Sequence, residues 1–157
     1  MAHETPATRA VQELGIVATV VRTEPAHSAE ESAGLQGIEL GALLRTIVVR
    51  RGENDYVFVL VPGGRRFDWP KLRAHLGVKR LSMPDADEAK TVTGYERGAI
   101  TPFGACQHLP VIMDATALTN EVVAIGGGAR GVNIHLRADE LARVLDARVV
   151  DVSIADA

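Results

Sequence analysis

The sequence predicts an α/β domain with a mixed, largely antiparallel sheet flanked by short helices. Three observations predict it. Two β-rich runs, residues 44–50 and 56–61, enclose the polar turn Gly52-Glu53-Asn54-Asp55, the pattern of a hairpin. Several helical stretches are short, opened by a capping residue and closed by glycine. Hairpin-like connections also outnumber strand pairs separated by a helix, which favours antiparallel pairing. At 157 residues the chain suits one domain, residues 1–157, with a core of its own.

The elements follow in order. Thr5 caps a first helix, Pro6 is tolerated at its first position, and Ala7, Ala10, Val11 and Leu14 form one apolar stripe closed by Gly15. Residues 16–21 are β-branched and short, a strand. Ser28 followed by Glu31 is a capping-box signature for a second helix, which Gly37 terminates. After the hairpin, Pro62-Gly63-Gly64 ends the second run. Gly63-Gly64-Arg65-Arg66 reads as a turn with a basic rim, lacking the spacing and Lys-Ser/Thr pair of a P-loop. Asp68 caps a helix through Pro70, Leu72 and Leu76 that stops at Gly77, and Trp69 beside it packs. Residues 78–83 read as a short strand with two exposed cations, Lys79 and Arg80. Residues 84–92 form a helical segment, acidic then basic, an order that suits the helix dipole. Residues 111–113, 121–125 and 132–136 are strands, 139–145 a short amphipathic helix, and 149–152 a last strand.

Composition narrows the class. An apolar fraction of 46% and a charged fraction of 24% are those of a soluble globular protein. The net charge of −3 excludes a uniformly basic nucleic-acid-binding surface but leaves room for a local basic patch. A single cysteine, Cys106, allows no internal disulfide and fits a reducing cytoplasm. No apolar run follows basic residues at the N-terminus and no stretch resembles a membrane span, so a cytoplasmic protein is expected.

Residues 93–104 are the segment on which function turns. Gly94, Gly98, Gly104 and Pro102 are too many breakers for a helix or strand, yet Tyr95, Ile100 and Phe103 anchor the segment. Glycine lets main-chain N–H groups approach a ligand closely, and Pro102 biases Thr101 towards an extended conformation. A packed loop that presents main-chain groups, with help from Thr101, is therefore expected, beside the plainer reading of a long connection. A second cluster, Gly126-Gly127-Gly128-Ala129-Arg130-Gly131, makes a hairpin turn or a tight ligand-facing bend. Arg45 opens an apolar strand, either as a strand-end side chain reaching solvent or as a guanidinium that binds an anion in a pocket.

The usual catalytic groups are sparse. His3, His27, His75, His108 and His135 are scattered and there is no Cys pair, so a zinc site is not expected. His27, just before a helix, reads as a bystander or a site residue. Cys106 and His108 share a face only if their segment is extended, and a lone cysteine more often packs than attacks. An enzyme of this kind would use glycine-loop amides to stabilise an oxyanion, with a positioned water or a substrate group.

The string Thr93-Gly94-Tyr95, Gly98, Ile100-Thr101-Pro102-Phe103-Gly104, then Ala117-Leu118 and Gly127-Gly128-Ala129-Arg130-Gly131, strongly resembles the YbaK/EbsC family. These are free-standing relatives of the bacterial prolyl-tRNA synthetase editing domain. The likeness runs from about Arg45 to Val152 and includes Leu76 to Arg80. It implies an editing-domain fold that hydrolyses mischarged aminoacyl-tRNA without a cofactor, typically Cys-tRNA(Pro) or Ala-tRNA(Pro). It implies aminoacyl-tRNA as partner, and prolyl-tRNA synthetase as a second candidate. The loop from Gly98 to Pro102 would line the aminoacyl pocket, with Gly127-Gly128 near it. A family Lys-Thr pair is here Arg45-Thr46. The catalytic candidates are thus Arg45, Thr46, Gly98 and Thr101; the substrate-binding ones are Gly94, Tyr95, Ile100, Pro102, Phe103, Gly104, Gly127, Gly128 and Arg130. The alternatives are a non-hydrolytic module of the same fold that recognises a tRNA end, a nucleotide or a synthetase, and a thiol enzyme built on Cys106.

Overall fold

The hairpin turn forms where the polar residues place it. In the computed structural model, which describes residues 4–156, β2 (Leu44–Gly52) and β3 (Asp55–Pro62) pair antiparallel, Leu44 opposite Pro62 and Arg50 opposite Tyr56. Asn54 takes the positive φ of 56° that the tight reversal requires. β5 (Val111–Asp114) joins β3 in parallel, and β8 (Arg148–Val150) joins β5 in parallel, giving the order β2-β3-β5-β8. A second sheet, all antiparallel, runs β1 (Ala18–Arg22), β7 (Val132–Arg137), β6 (Val122–Gly126). A parallel bridge from Leu43 to Ala124 joins the two sheets. Among the described residues four of the six strand pairings are antiparallel, so the mixed, largely antiparallel class stands.

β3 is buried from Tyr56 to Pro62 and so reads as an unbroken apolar run. Its alternate residues feed two cores. Phe58 and Leu60 pack in a cluster with Tyr95, Phe103, Ile125, Ile134 and Leu141. Val57, Val59 and Val61 belong to another with Leu72, Ile112 and Val152. The helices are α1 (Pro6–Leu14), α2 (Ala29–Gln36), α3 (Trp69–Leu76), α4 (Ala86–Thr93) and α5 (Ala138–Val144), with one-turn 3-10 helices at Leu40–Ala42 and Ala115–Thr119. Thr5, Ser28, Asp68 and Asp85 cap the first four, and Gly15, Gly37, Gly77 and Gly94 end them in left-handed conformation. The Ser28 box is shifted by one residue: Ser28 accepts the Glu31 N–H, but the Glu31 carboxylate accepts from His27.

Three expectations fail locally. Residues 78–83 form no strand; only Ser82 bridges to Arg50, because the exposed Lys79 and Arg80 leave no buried alternate face to pin a register. The turn expected at residues 63–66 forms at Gly63–Gly64, where Gly64 has φ 80°, but Arg65 and Arg66 already belong to a short strand, β4 (Arg65–Phe67), which pairs antiparallel with β9 (Ser153–Ala155). The expected last strand is therefore split: β8 ends at Val150 and β9 starts at Ser153.

Asp114 holds this junction together. Its buried carboxylate accepts the N–H groups of Val152 at 3.0 Å and Thr116 at 3.1 Å, and the Thr116 hydroxyl. Burial alone would raise its pKa, but these hydrogen bonds together hold it below the usual aspartate range. A depressed folded-state pKa gives stability present above the ordinary aspartate value and lost as pH falls through the folded one. Asp114→Asn leaves N–H donors facing an amide, and is expected to cost about 2 kcal/mol in urea denaturation near neutral pH. It should also flatten the wild-type loss of stability below about pH 4. An unchanged midpoint and acid limb would refute this role.

Candidate active site

A cleft of about 480 Å³ opens between the start of β2, the entrance to α2, residues 98–100 and the bend between β6 and β7. Its glycine loop is set by α4, which is moored to the hairpin. Arg50 Nη1 reaches both Glu88 oxygens at 2.6 Å, and the Tyr56 hydroxyl donates to the same carboxylate. These bonds, from Tyr56 first and then Arg50, hold the Glu88 carboxyl below its ordinary range. Gly94 ends α4 with φ 84°, and the Tyr95 hydroxyl donates to the Phe103 carbonyl at 2.6 Å, closing the loop on itself. Burial, with a smaller contribution from Cys106, pushes the Tyr95 phenol up to about 12, so it stays a donor. The span between these clamps presents Gly98, Ala99 and Ile100 to the cleft.

The second bend packs directly on the first. A Cβ on Gly128, whose φ is 91°, would stand 2.9 Å from Tyr95 Cε1. One on Gly126 would meet the Ile100 carbonyl at 3.4 Å, and one on Gly98 would lie 3.3 Å from Arg130 Nη2. Only glycine permits the Gly128 approach, in both φ and space. The two glycine clusters, separate in sequence, therefore form one wall.

Arg45, Thr46, Gly98, Ile100 and Arg130 line the cleft. The other candidates stand behind it. Tyr95 and Phe103 are core, Gly104 abuts the Pro6 carbonyl, and Gly94 lies against Cys106. Gly127 packs on Val132, and its carbonyl accepts from Thr5. Thr101 is buried beside Gly126, and Pro102 is half-buried outside the lining. Arg45 and Thr46 occupy opposite faces of β2, as successive strand residues must. Arg45 is exposed and its Nη2 donates to the Arg65 carbonyl. Thr46 Oγ1 and Thr101 Oγ1 are buried without a hydrogen-bond partner.

The cleft contains residues that local sequence reading did not gather. Thr23, Ser28, Ser32 and Asn133 line it, as does His27, for which bystander and site readings were both open. Ser28 and Ser32 come with the start of α2, whose Ala33 packs with Leu43 and Ala124, while Thr23 and Asn133 come from the pairing of β1 with β7; both are long-range contacts with no local signature. Gln36 of α2 meets His135 of β7 at 2.8 Å. Cys106 and His108 lie outside the cleft lining, and the Cys106 thiol donates to the Val92 carbonyl. Among the described residues no three His, Cys, Asp or Glu side chains are grouped to hold a metal, and no helix is long and apolar enough to cross a membrane. His3 lies outside the described residues.

Burial pushes the His135 imidazole below its ordinary pKa, so Nε2–H of the neutral ring donates to Gln36 Oε1. The unfolded chain then binds the extra proton more readily, and stability falls as pH drops from the ordinary histidine value towards the folded one. Thermal unfolding between about pH 8 and about pH 5 should show this decline, and His135→Gln should flatten it. An unaltered pH profile in the variant would refute the assignment.

Residues 23–144 match the aminoacyl-tRNA editing domain. Over 126 residues the chain is 26% identical to an Enterococcus faecalis protein described as a Cys-tRNA(Pro)/Cys-tRNA(Cys) deacylase, EbsC, covering 80% of this chain and 77% of that one. It is 24% identical over 136 residues to the multifunctional Ser/Thr-tRNA deacylase ProXp-y of Escherichia coli, covering 84% and 81%. The fold matches, with a TM-score of 0.86 and 27% identity, a crystal structure described as a trans-editing enzyme for prolyl tRNA synthetase, covering 96% of this chain and 99% of that one. Proline–tRNA ligases also match, and the chain spans 21–24% of their length.

Proposed function

The chain belongs to the aminoacyl-tRNA editing domain family, and from that footing we propose that it hydrolyses the ester of a mischarged aminoacyl-tRNA, acting in trans. The observation that carries the reading is the polarity of the cleft. Of the 20 acidic residues in the chain none lines it, whereas Arg45 and Arg130 do. Such a surface favours an anionic ligand and suits the end of an RNA chain.

The Gly98 and Ile100 amides have no hydrogen-bond partner among the described residues, so both are available to a carbonyl oxygen that gains charge. Thr46 lines the cleft with its Oγ1 shielded and unpartnered, and a side-chain rotation that turns this hydroxyl into the cleft would orient the aminoacyl group or the attacking water. Thr101 stands one layer back and supports the loop from behind. In hydrolysis the water oxygen bonds to the acyl carbon, the acyl–ribose oxygen bond breaks, and the water proton passes to the departing ribose oxygen. A cysteine cargo offers a second route. Its own thiol attacks the acyl carbon, giving a thiolactone and the same ribose hydroxyl.

Cys-tRNA(Pro) or Ala-tRNA(Pro) is the substrate class we propose, with prolyl-tRNA synthetase as the partner that supplies tRNA affinity. The tie between the Arg45 guanidinium and the Arg65 carbonyl favours a second reading, a module that holds a tRNA end without cleaving it.

Tests on tRNAs mischarged with Cys, Ala, Ser and Thr separate these. Deacylation of at least one is expected, and binding without turnover would establish the second reading instead. Gly98→Ala places a Cβ at φ 92° against Arg130 and should lower turnover about tenfold or more while circular dichroism stays native. Thr46→Val should lower it too. Wild-type turnover in both variants would remove this loop and hydroxyl from the mechanism.

A further inference from the structure

We propose that Arg130 anchors the phosphodiester at the end of the bound RNA and so sets where the aminoacyl ester lands against Gly98. The inference rests on the deacylase reading and deepens it by separating the roles of the two cleft arginines.

Arg130 lines the cleft, is exposed, and has no ion-pair or hydrogen-bond partner among the described residues. Its guanidinium lies over Gly98: a Cβ there would stand 3.3 Å from Nη2 and 3.7 Å from Cζ and Nε. The missing side chain at Gly98 thus lets the planar cation rest against the loop whose unpaired amides the deacylase reading assigns to the ester. A guanidinium presents paired N–H donors that match phosphate oxygens, and with no carboxylate in the lining its charge is left for a ligand. Arg45 also lines the cleft but differs in one respect: its Nη2 is already given to the Arg65 carbonyl. Arg130 rests on the glycine loop with all its donors uncommitted among the described residues. Its function is positioning, since it meets the phosphate and not the breaking bond.

The test uses 3′-aminoacyl-adenosine with and without a 5′-phosphate, charged with the amino acid that the tRNA panel identifies. Wild-type protein should favour the phosphorylated ester about 10- to 100-fold in kcat/KM, the gain lying in KM. Arg130→Ala should erase the preference, raising KM for the phosphorylated ester far more than for its counterpart, and Arg130→Lys should restore part of it. With whole aminoacyl-tRNA, the slope of log(kcat/KM) against log salt should become shallower by about 0.7 in Arg130→Ala, the loss of one phosphate contact. Calorimetric titration with adenosine 5′-phosphate and adenosine reads the same preference without turnover.

Equal loss on both esters, a preference that survives Arg130→Ala, or one erased by Arg45→Ala alone would overturn the inference. Wild-type hydrolysis of both esters with equal efficiency would sink the anchor and keep the deacylase. Preference for the 5′-phosphate that depends on Arg130, with neither ester hydrolysed, would keep the anchor and sink the deacylase.

Discussion

Tyr95 stands where the two glycine bends meet, and the cleft has its shape because of that contact. The hydroxyl spans the loop to the Phe103 carbonyl, and the ring approaches Gly128 so closely that any side chain there would intrude. Burial keeps the phenol protonated, so the bond does not switch off near neutral pH. The N-terminal helix braces the same joint. Thr5 and Ala7 press on Gly128, and the Thr5 hydroxyl donates to the Gly127 carbonyl. A helix that contributes no lining residue is thus part of the foundation of the cleft.

Around that joint the strands sort charge by simple alternation. Leu44 and Val48 point into the core that holds Tyr95 and Phe103, and Thr46, between them in phase, faces the same way. Arg45 belongs to the other phase, with Ile47 and Val49, and its exposed guanidinium finds the carbonyl of β4. The adjacent pair therefore divides into a solvent-edge cation and a shielded hydroxyl. Two neighbouring residues do two different jobs because the pleat allows them no common side.

How much of this was legible depended on range. The caps Thr5, Ser28 and Asp68 and the stops Gly15, Gly37 and Gly77 are local chemistry, satisfied within a few residues, so their helices were readable. The β2–β3 hairpin was readable for the same reason. β4 was not: three residues gain a strand only through β9, some 88 positions away. The strand expected at residues 78–83 failed in the opposite sense, with suitable residue types and no buried face to use them. Site residues divided likewise. Glycines and Arg130 stood out by type, whereas Thr23, Ser28, Ser32 and Asn133 are ordinary polar residues collected by the packing of α2 and the pairing of β1 with β7.

A polar wall of this kind also bears on how a cleft without an acidic residue discriminates. Shape separates ligands that differ by a methylene only weakly, by about 1–3 kcal/mol. A buried hydroxyl such as Thr46 Oγ1 is different, because it loses hydrogen bonding to water whether or not a ligand replaces it. A ligand group that satisfies it regains that loss, and one that cannot leaves it in place. Under the deacylase reading, the amino acid is therefore sorted as much by whether it completes the hydrogen bonding of Thr46 as by whether it fits. Under the same reading the Gly98 and Ile100 amides meet only what every aminoacyl ester shares, while the Ile100 side chain adds shape to the cleft. On that reading, recognition of the common ester and selection of the cargo fall to different parts of one wall, so a change at Thr46 would alter the cargo without disturbing the amides assigned to the ester.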